Sequence, residues 1–413
     1  MRHRDKSNKM CIILMFTCVF SYAAAEGAPC EPEWLPSPMG NPGLNGTVDT
    51  LAVFDDGSGA ALFAGGNLVS TSGVRFLVKW EGGEWVSVGG SVNNSVHDLV
   101  VYDDGSGPAL YVGGRFTEAG GVEAQSIARW DGDAWSAVGL GMNGIVNSLH
   151  IDSSGSQSLL YAGGSFTVAG GQVVNRIAVW DGTSWGALGQ GMDGPVRALT
   201  TFDDGTGEQV FAGGAFTIAG DVEARSLARW DGNAWTAVGV DLQRGGGVSG
   251  LVNSLDVIGV AQGQQILYVG GSFATANQSI VNYIAQWNGG EWESVSRGVS
   301  DGVNSIRVLS GGDGNGQRLF VGGRFSHADA LSVNGAAQWT GSGWTAMGEG
   351  ITSEINQRIN DFVTYEDPDE NGMAVYAGGR FTEMGGVTAR SIAKWGCPDS
   401  GVIFFDNFVA ASK

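Results

Sequence analysis

One phrase dominates this chain. Leu110 to Gly121 reads LYVGGRFTEAGG, and close copies run from Leu160 to Gly171, Val210 to Gly220 and Val375 to Gly386. Weaker copies begin at Leu62, Leu267 and Leu319. The first glycines of the seven pairs are Gly65, Gly113, Gly163, Gly213, Gly270, Gly322 and Gly378, at spacings of 48, 50, 50, 57, 52 and 56. Self-similarity at such a period means a repeat architecture, in which each unit buries its apolar faces against its neighbours. Tryptophans recur with it, as Trp80/Trp85, Trp130/Trp135, Trp180/Trp185, Trp230/Trp235, Trp287/Trp292 and Trp339/Trp344. Trp34 and Trp395, at opposite ends of the chain, complete the set of 14.

Each unit divides into four short β-like runs. In the second they are Ser95–Tyr102, Ala109–Gly113, Ser126–Trp130 and Ala134–Val138. Asp103-Asp104-Gly105-Ser106-Gly107 separates the first two as a turn, and Asp131-Gly132 marks a hairpin between the last two. Four strands per unit at this period predict a propeller blade. Leucine-rich horseshoes and parallel β-helices have shorter repeats, and no stretch after the N-terminal segment carries helical periodicity. The predicted fold is all-β: a seven-bladed propeller whose blades span about 46–90, 91–140, 142–190, 192–240, 248–298, 302–349 and 355–397. The seventh lacks its fourth strand. Trp34 to Gly40 matches the fourth-strand pattern, so residues 30–40 complete that blade and close the ring, leaving no free sheet edge. The double glycines are expected to let backbones approach closely near the axis.

Residues 1–25 read as a signal peptide: a basic start, an apolar run from Met10 to Tyr22, and small residues ahead of Glu26. A membrane anchor is the alternative, but the run is short of the roughly 20 residues of a spanning helix. The expected location is secreted, periplasmic or cell-surface, and the expected state a monomer. The 413 residues include 22 Lys+Arg against 42 Asp+Glu, a formal net charge of −20. Such a surface disfavours nucleic acid and anionic lipid as partners. Residues 398–413 form a tail outside the repeat.

The double glycine, aromatic strand, Asp-Gly turn and tryptophan five residues on resemble the kelch propeller. The fuller pattern, with LYVGGRFT, SIARWDG and GMNGIV, is more similar to the repeats of the fungal cortical marker for cell polarity and related exported bacterial propellers. The resemblance implies the fold, and it implies little about function, because the repeated residues are scaffold. One kelch-type propeller, galactose oxidase, is a copper enzyme; nothing here matches its Cys, Tyr and His ligands.

Candidate chemistry is sparse. No nucleophile elbow, zinc motif or phosphate-binding Gly-Lys motif is present. The paired carboxylates Asp55/Asp56, Asp103/Asp104 and Asp203/Asp204 repeat, so they read as turn chemistry. His97 and His150 fall at near-equivalent places in first strands and read as structural. The predicted activity is therefore binding or scaffolding, with no catalytic residue and no cofactor beyond a structural calcium. Asp367, Asp369 and Asn371 begin a D-x-D-x-N-G calcium loop, although Gly378 stands where the closing Glu belongs, and an acidic turn is the plainer reading. Cys30 and Cys397 fall where the turn of the divided seventh blade would be and are expected to form a disulfide. The candidate binding loops, between second and third strands, carry Glu118, Glu123, Gln172, Asp221, Glu223, Gln278, His327, Asp329 and Glu383. The protein or glycan they meet is not specified. The rival reading is a carbohydrate-active enzyme using the central funnel; a funnel lined by Gly, Val and Ala would exclude it.

Overall fold

A computed structural model describes residues 31–398, apart from 37–38, 40–42, 240–245, 261–262, 278, 311–315, 354–356 and 368–372. It is built from strands, and no helix long and apolar enough to cross a membrane occurs among the described residues. Among the described residues seven sheets have four antiparallel strands each. In the second blade the order outward from the axis is Val96–Asp103, Pro108–Gly114, Ile127–Trp130 and Trp135–Ala137. The first strands pack against one another in chain order. Arg358–Glu366 of the last blade returns to Leu44–Asp55 of the first, closing the ring. The first strand starts at Leu44, two residues ahead of the expected boundary.

The seventh sheet is assembled from both ends of the described chain. Glu33–Leu35 pairs with Ile392–Gly396, setting Trp34 opposite Trp395. Their rings lie 5.0 Å apart at 61°, close to the arrangement that Trp80 and Trp85 adopt within one hairpin at 5.2 Å and 63°. The fourth-strand indoles also reach back one blade. Trp135 Nε1 donates to Val88 O at 3.1 Å, Trp185 to Val138 O at 3.0 Å, and Trp34 to Met347 O at 2.7 Å. Each tryptophan pair thus buries apolar surface, and in five blades it ties the sheet to the preceding one; Trp292 and Trp344 Nε1 are buried without such a bond.

The double glycines answer two different steric demands. A Cβ on the first glycine of any pair would come within 3.0 Å of the next blade's inner strand, as Gly113 would on Val146. A Cβ on the second would strike a backbone carbonyl of its own inner strand, as Gly164 would on Ile145 O. The connection between second and third strands, read from the sequence as a loop, forms a small hairpin, Glu118–Ala119 with Val122–Glu123 in the second blade. The Gly120-Gly121 turn, with both φ positive, makes it possible.

Candidate functional site

The seven inner strands surround a channel with a cavity of about 630 Å³. Every inner strand breaks register at the same point, between Val48 and Thr50 in the first blade and between Val96 and Asp98 in the second. The same shift occurs in the other five. A bulge adds one residue and re-aims its side chain. Here the added residues are Asp49, His97, Asn147, Arg197, Asn253, Asn304 and Asn360, and all seven line the channel. They form a polar ring near one end, where the flanking positions repeat almost without change.

The ring is held together from blade to blade. Asn147 Nδ2 donates to Val196 O at 2.9 Å, Asn253 Nδ2 to Val303 O at 3.0 Å, and Asn360 Nδ2 to Val48 O at 2.9 Å. Arg197 Nη1 donates to Asn253 Oδ1 at 3.2 Å, and Asn304 Nδ2 to Asn360 Oδ1 at 3.2 Å. Burial pushes the Asp49 carboxyl up to about 6, against the Arg358 charge and the Asn67 N–H, which favour its ionised form. Burial also lowers the His97 imidazole; a hydrogen bond with Asn147 opposes this and the Arg115 charge adds to it.

Below the ring, carboxylates staple neighbouring blades. Asp98 accepts from its neighbour Leu99 N at 2.9 Å and from Leu149 N of the next blade at 2.7 Å. Asp361 accepts likewise from Phe362 N and Leu51 N, both at 2.9 Å, and Asp256 from Val257 N and Val308 N, both at 2.7 Å. Arg307 Nε donates to Asp361 Oδ1 at 2.8 Å. The Asp361 charge raises the Arg307 pKa despite burial, with help from Asp256 and Asp98. Burial pushes Asp98 up to about 6, partly offset by Arg307. His150, beside Thr201 Oγ1 at 3.3 Å, is pushed down to about 4 by burial.

The sequence placed His97 and His150 at near-equivalent positions; the register corrects this. His97 is a bulge residue matching Asn147, whereas His150 lies three residues deeper and matches Val100. The funnel is also not the Gly, Val and Ala surface that would have excluded an enzyme: Asp, Asn, His, Ser and Arg side chains line it. The signal that could have found the ring is the variable polar residue inside an otherwise repeated Val-x-x-Leu stretch.

The predicted loop residues stand apart from the channel, on an outer rim of the same face as the ring. Glu118, Glu123, Gln172, Asp221, Glu223, His327, Asp329 and Glu383 are all exposed, and Gln278 lies outside the described residues. Several are engaged locally. Asp329 accepts from Arg297 N at 2.8 Å and Ser296 Oγ at 2.7 Å, Glu223 pairs with Arg225 at 2.9 Å, and Asp221 accepts from Gln190 at 3.0 Å. The turn carboxylates close the opposite face. Asp103 Oδ1 accepts from Gly105 N and Gly107 N, and Asp104 from Ser106 and Tyr111. Asp56 pairs with Lys79 at 2.8 Å and Asp204 with Arg229. Asp367 is buried; Asp369 and Asn371 lie outside the described residues. Among the described residues no group of three His, Cys, Asp or Glu side chains is arranged to hold a metal ion. Cys397 is disulfide-bonded, and Cys30 lies outside the described residues.

Residues 89–253 match the family described as the Rax2 C-terminal beta propeller domain. Among curated proteins none matches the sequence significantly. Of solved structures, an ancestral GH74 enzyme is similar with a TM-score of 0.50 and 15% identity, over 87% of this chain and 47% of that one. The extracellular domain of a hybrid two-component system from B. thetaiotaomicron has a TM-score of 0.45 and 13% identity, over 89% and 42%. This chain spans less than half the length of either. Family match and sheet arrangement together make the fold a β-propeller.

Proposed function

We propose that this chain is an exported propeller of seven blades that acts as a binding module, using the face that carries the bulge ring and the rim loops. The observation that carries this reading is how the channel carboxylates are employed. Asp98, Asp256 and Asp361 each accept two backbone N–H groups across a blade junction, and Asp361 an arginine as well. Carboxylates held this way staple the fold and are poorly placed to exchange protons with a substrate. Asp49, the carboxylate of the ring, accepts from Asn360 Nδ2 at 3.0 Å and has no second carboxyl beside it in the ring. Paired acids at about 5–10 Å across an open cleft are what glycoside hydrolysis requires.

The rival reading, a carbohydrate-active enzyme, draws on the polar channel lining. Incubating purified protein with neutral and acidic polysaccharides separates the two. No release of reducing ends is expected; release that disappears in Asp49→Asn would overturn the non-catalytic reading. The kelch-like and cortical-marker kinship belongs to the same proposal, as does a Cys30–Cys397 bond, which non-reducing peptide mass spectrometry would detect. Calcium at Asp367, Asp369 and Asn371 would reveal itself as a calcium-dependent rise in Tm that Asp369→Ala removes.

A further inference from the structure

The charge of this protein is unevenly placed. The chain is strongly acidic, with a net charge of −20. Yet five arginines gather at the ring end of the channel. Arg197 belongs to the ring itself. Arg358 lies two residues before the seventh bulge residue and donates to Asn360 Oδ1 at 3.0 Å. Arg115 lies close enough to depress His97. The Arg324 guanidinium lies over Gly302 of the inner strand, 3.8 Å from where a side chain there would begin. Arg380 stands directly across the sheet from Arg358. Among the described residues, no carboxylate comes within 4.0 Å of any of these five, as is also true of Arg75, Arg176, Arg297 and Arg390, whereas Lys79, Arg129, Arg225, Arg229 and Arg307 are paired.

Two like charges directly opposite each other in an antiparallel pair are destabilising. A protein with 42 acidic residues has carboxylates enough to neutralise such a pair. It supplies Asp49 and Asp301 at this mouth, and Asp301 caps Gly302 N at 2.6 Å. Arginine presents a planar fork of donors suited to carboxylate and to other oxyanions. Beside it, Asn147 and Asn253 each direct one amide N–H to a neighbouring blade, leaving the second N–H of each amide for another acceptor, whereas Asn360 spends both of its own on Val48 O and Asp49. Anion-binding forks next to amides with spare hydrogen-bonding capacity suit a sugar that carries both a negative group and hydroxyls.

We infer that the mouth of the channel binds a short acidic saccharide, its carboxylate or sulfate held by Arg197 and Arg358 and its hydroxyls by Asn147 and Asn253. The acidic rim, with Glu118, Glu123, Glu223 and Glu383 exposed, sets the length. At physiological salt, charges repel over about 8 Å, so a long polyanion would meet that rim while a short one would not. The inference rests on the binding-module reading and adds the ligand class.

The test uses purified full-length protein and calorimetric titration at about 50 mM salt. Trigalacturonate supplies carboxylates, a heparin tetrasaccharide sulfates, and maltotetraose neither. At least one acidic oligosaccharide should bind about tenfold or more tighter than maltotetraose, and should weaken as salt rises. The double variant Arg197→Gln/Arg358→Gln should lose about tenfold in affinity, while Arg225→Gln, on the rim, should not change it. Competition by inorganic phosphate gives the same reading without any variant, should the double variant fold poorly. Equal or tighter binding of maltotetraose, absence of binding by both acidic probes, or indifference to the double variant and to phosphate would each overturn the inference. Cleavage of a bound acidic probe would instead refute the non-catalytic reading and leave the charge preference standing.

Discussion

The outer half of each blade and its inner strand follow opposite rules. Outside, the same residue returns at the same register in blade after blade: two glycines, an aromatic, a pair of tryptophans. Each return has a steric or hydrogen-bonding cause, such as the indole that reaches the preceding blade. Inside, the bulge fixes a position but not a residue, and the seven blades place Asp, His, Asn, Arg, Asn, Asn and Asn there. The backbone geometry of the ring is repeated while its chemistry is not. The contrast teaches that in a repeat protein the recurring residues explain the fold, and departures at one structurally equivalent position locate what the fold is for.

That contrast can be broken at either side. The largest effect is expected outside, for Gly164→Val. A Cβ there would lie under 3.0 Å from Ile145 O, a backbone atom that cannot rotate away. A loss above about 3 kcal/mol in denaturant unfolding is expected; a change below 1 kcal/mol would mean the repeat is not steric in origin. The second effect probes an inner residue that does serve the fold. Arg307→Gln leaves Asp361, Asp256 and Asp98 without their shared cation. Removing one partner of a buried pair costs about 3–5 kcal/mol. The Arg307 side chain is 38% exposed, so about 2 kcal/mol is the expectation.

The third effect depends on pH. Asp49 and Asp98 are raised from 3.8 to about 6, so each binds more protons folded than unfolded between those values. Their stabilising contribution is therefore complete below pH 4 and is lost as pH rises through about 6, on the order of 2 kcal/mol each. Asp98→Asn should remove one share of that dependence, so the stability difference between variant and parent should change with pH across this window. A constant difference would mean that Asp98 titrates normally. The smallest effect is expected for Arg197→Gln, an exposed ring residue bonded through Nη1 to Asn253. A stability change within about 0.5 kcal/mol is anticipated, in contrast with Arg307→Gln. A larger loss would place Arg197 with the scaffold.

The outer rule was legible in the sequence and the inner one was not. The spacing of the double glycines set the blade period, and Trp34 with Trp395 marked the closing pair, because close packing, apolar burial and hairpin turns leave a periodic trace. The bulge left no such trace. Strict alternation of side chains along a strand would put Asp49 and Thr50, or His97 and Asp98, on opposite faces, whereas both members of each pair line the channel. The staples were hidden for a related reason: Asp98 and Asp361 look like strand carboxylates until the next blade's N–H groups are in place. The rim loops were located as the variable connections, but their short hairpins and local ion pairs depend on contacts with the preceding connection, such as Val92 with Ala119.

Closing the seventh sheet with Trp34 also sets a timetable. The indole of Trp34 donates to Met347, 313 residues further along. A ribosome adding roughly 5–20 residues per second finishes that stretch tens of seconds after Trp34 has left the exit site. The strand Glu33–Leu35 therefore cannot pair until the chain has been made through Gly396. Until it docks the molecule is an arc with an exposed edge at Ile392–Gly396, open to any other strand that arrives first.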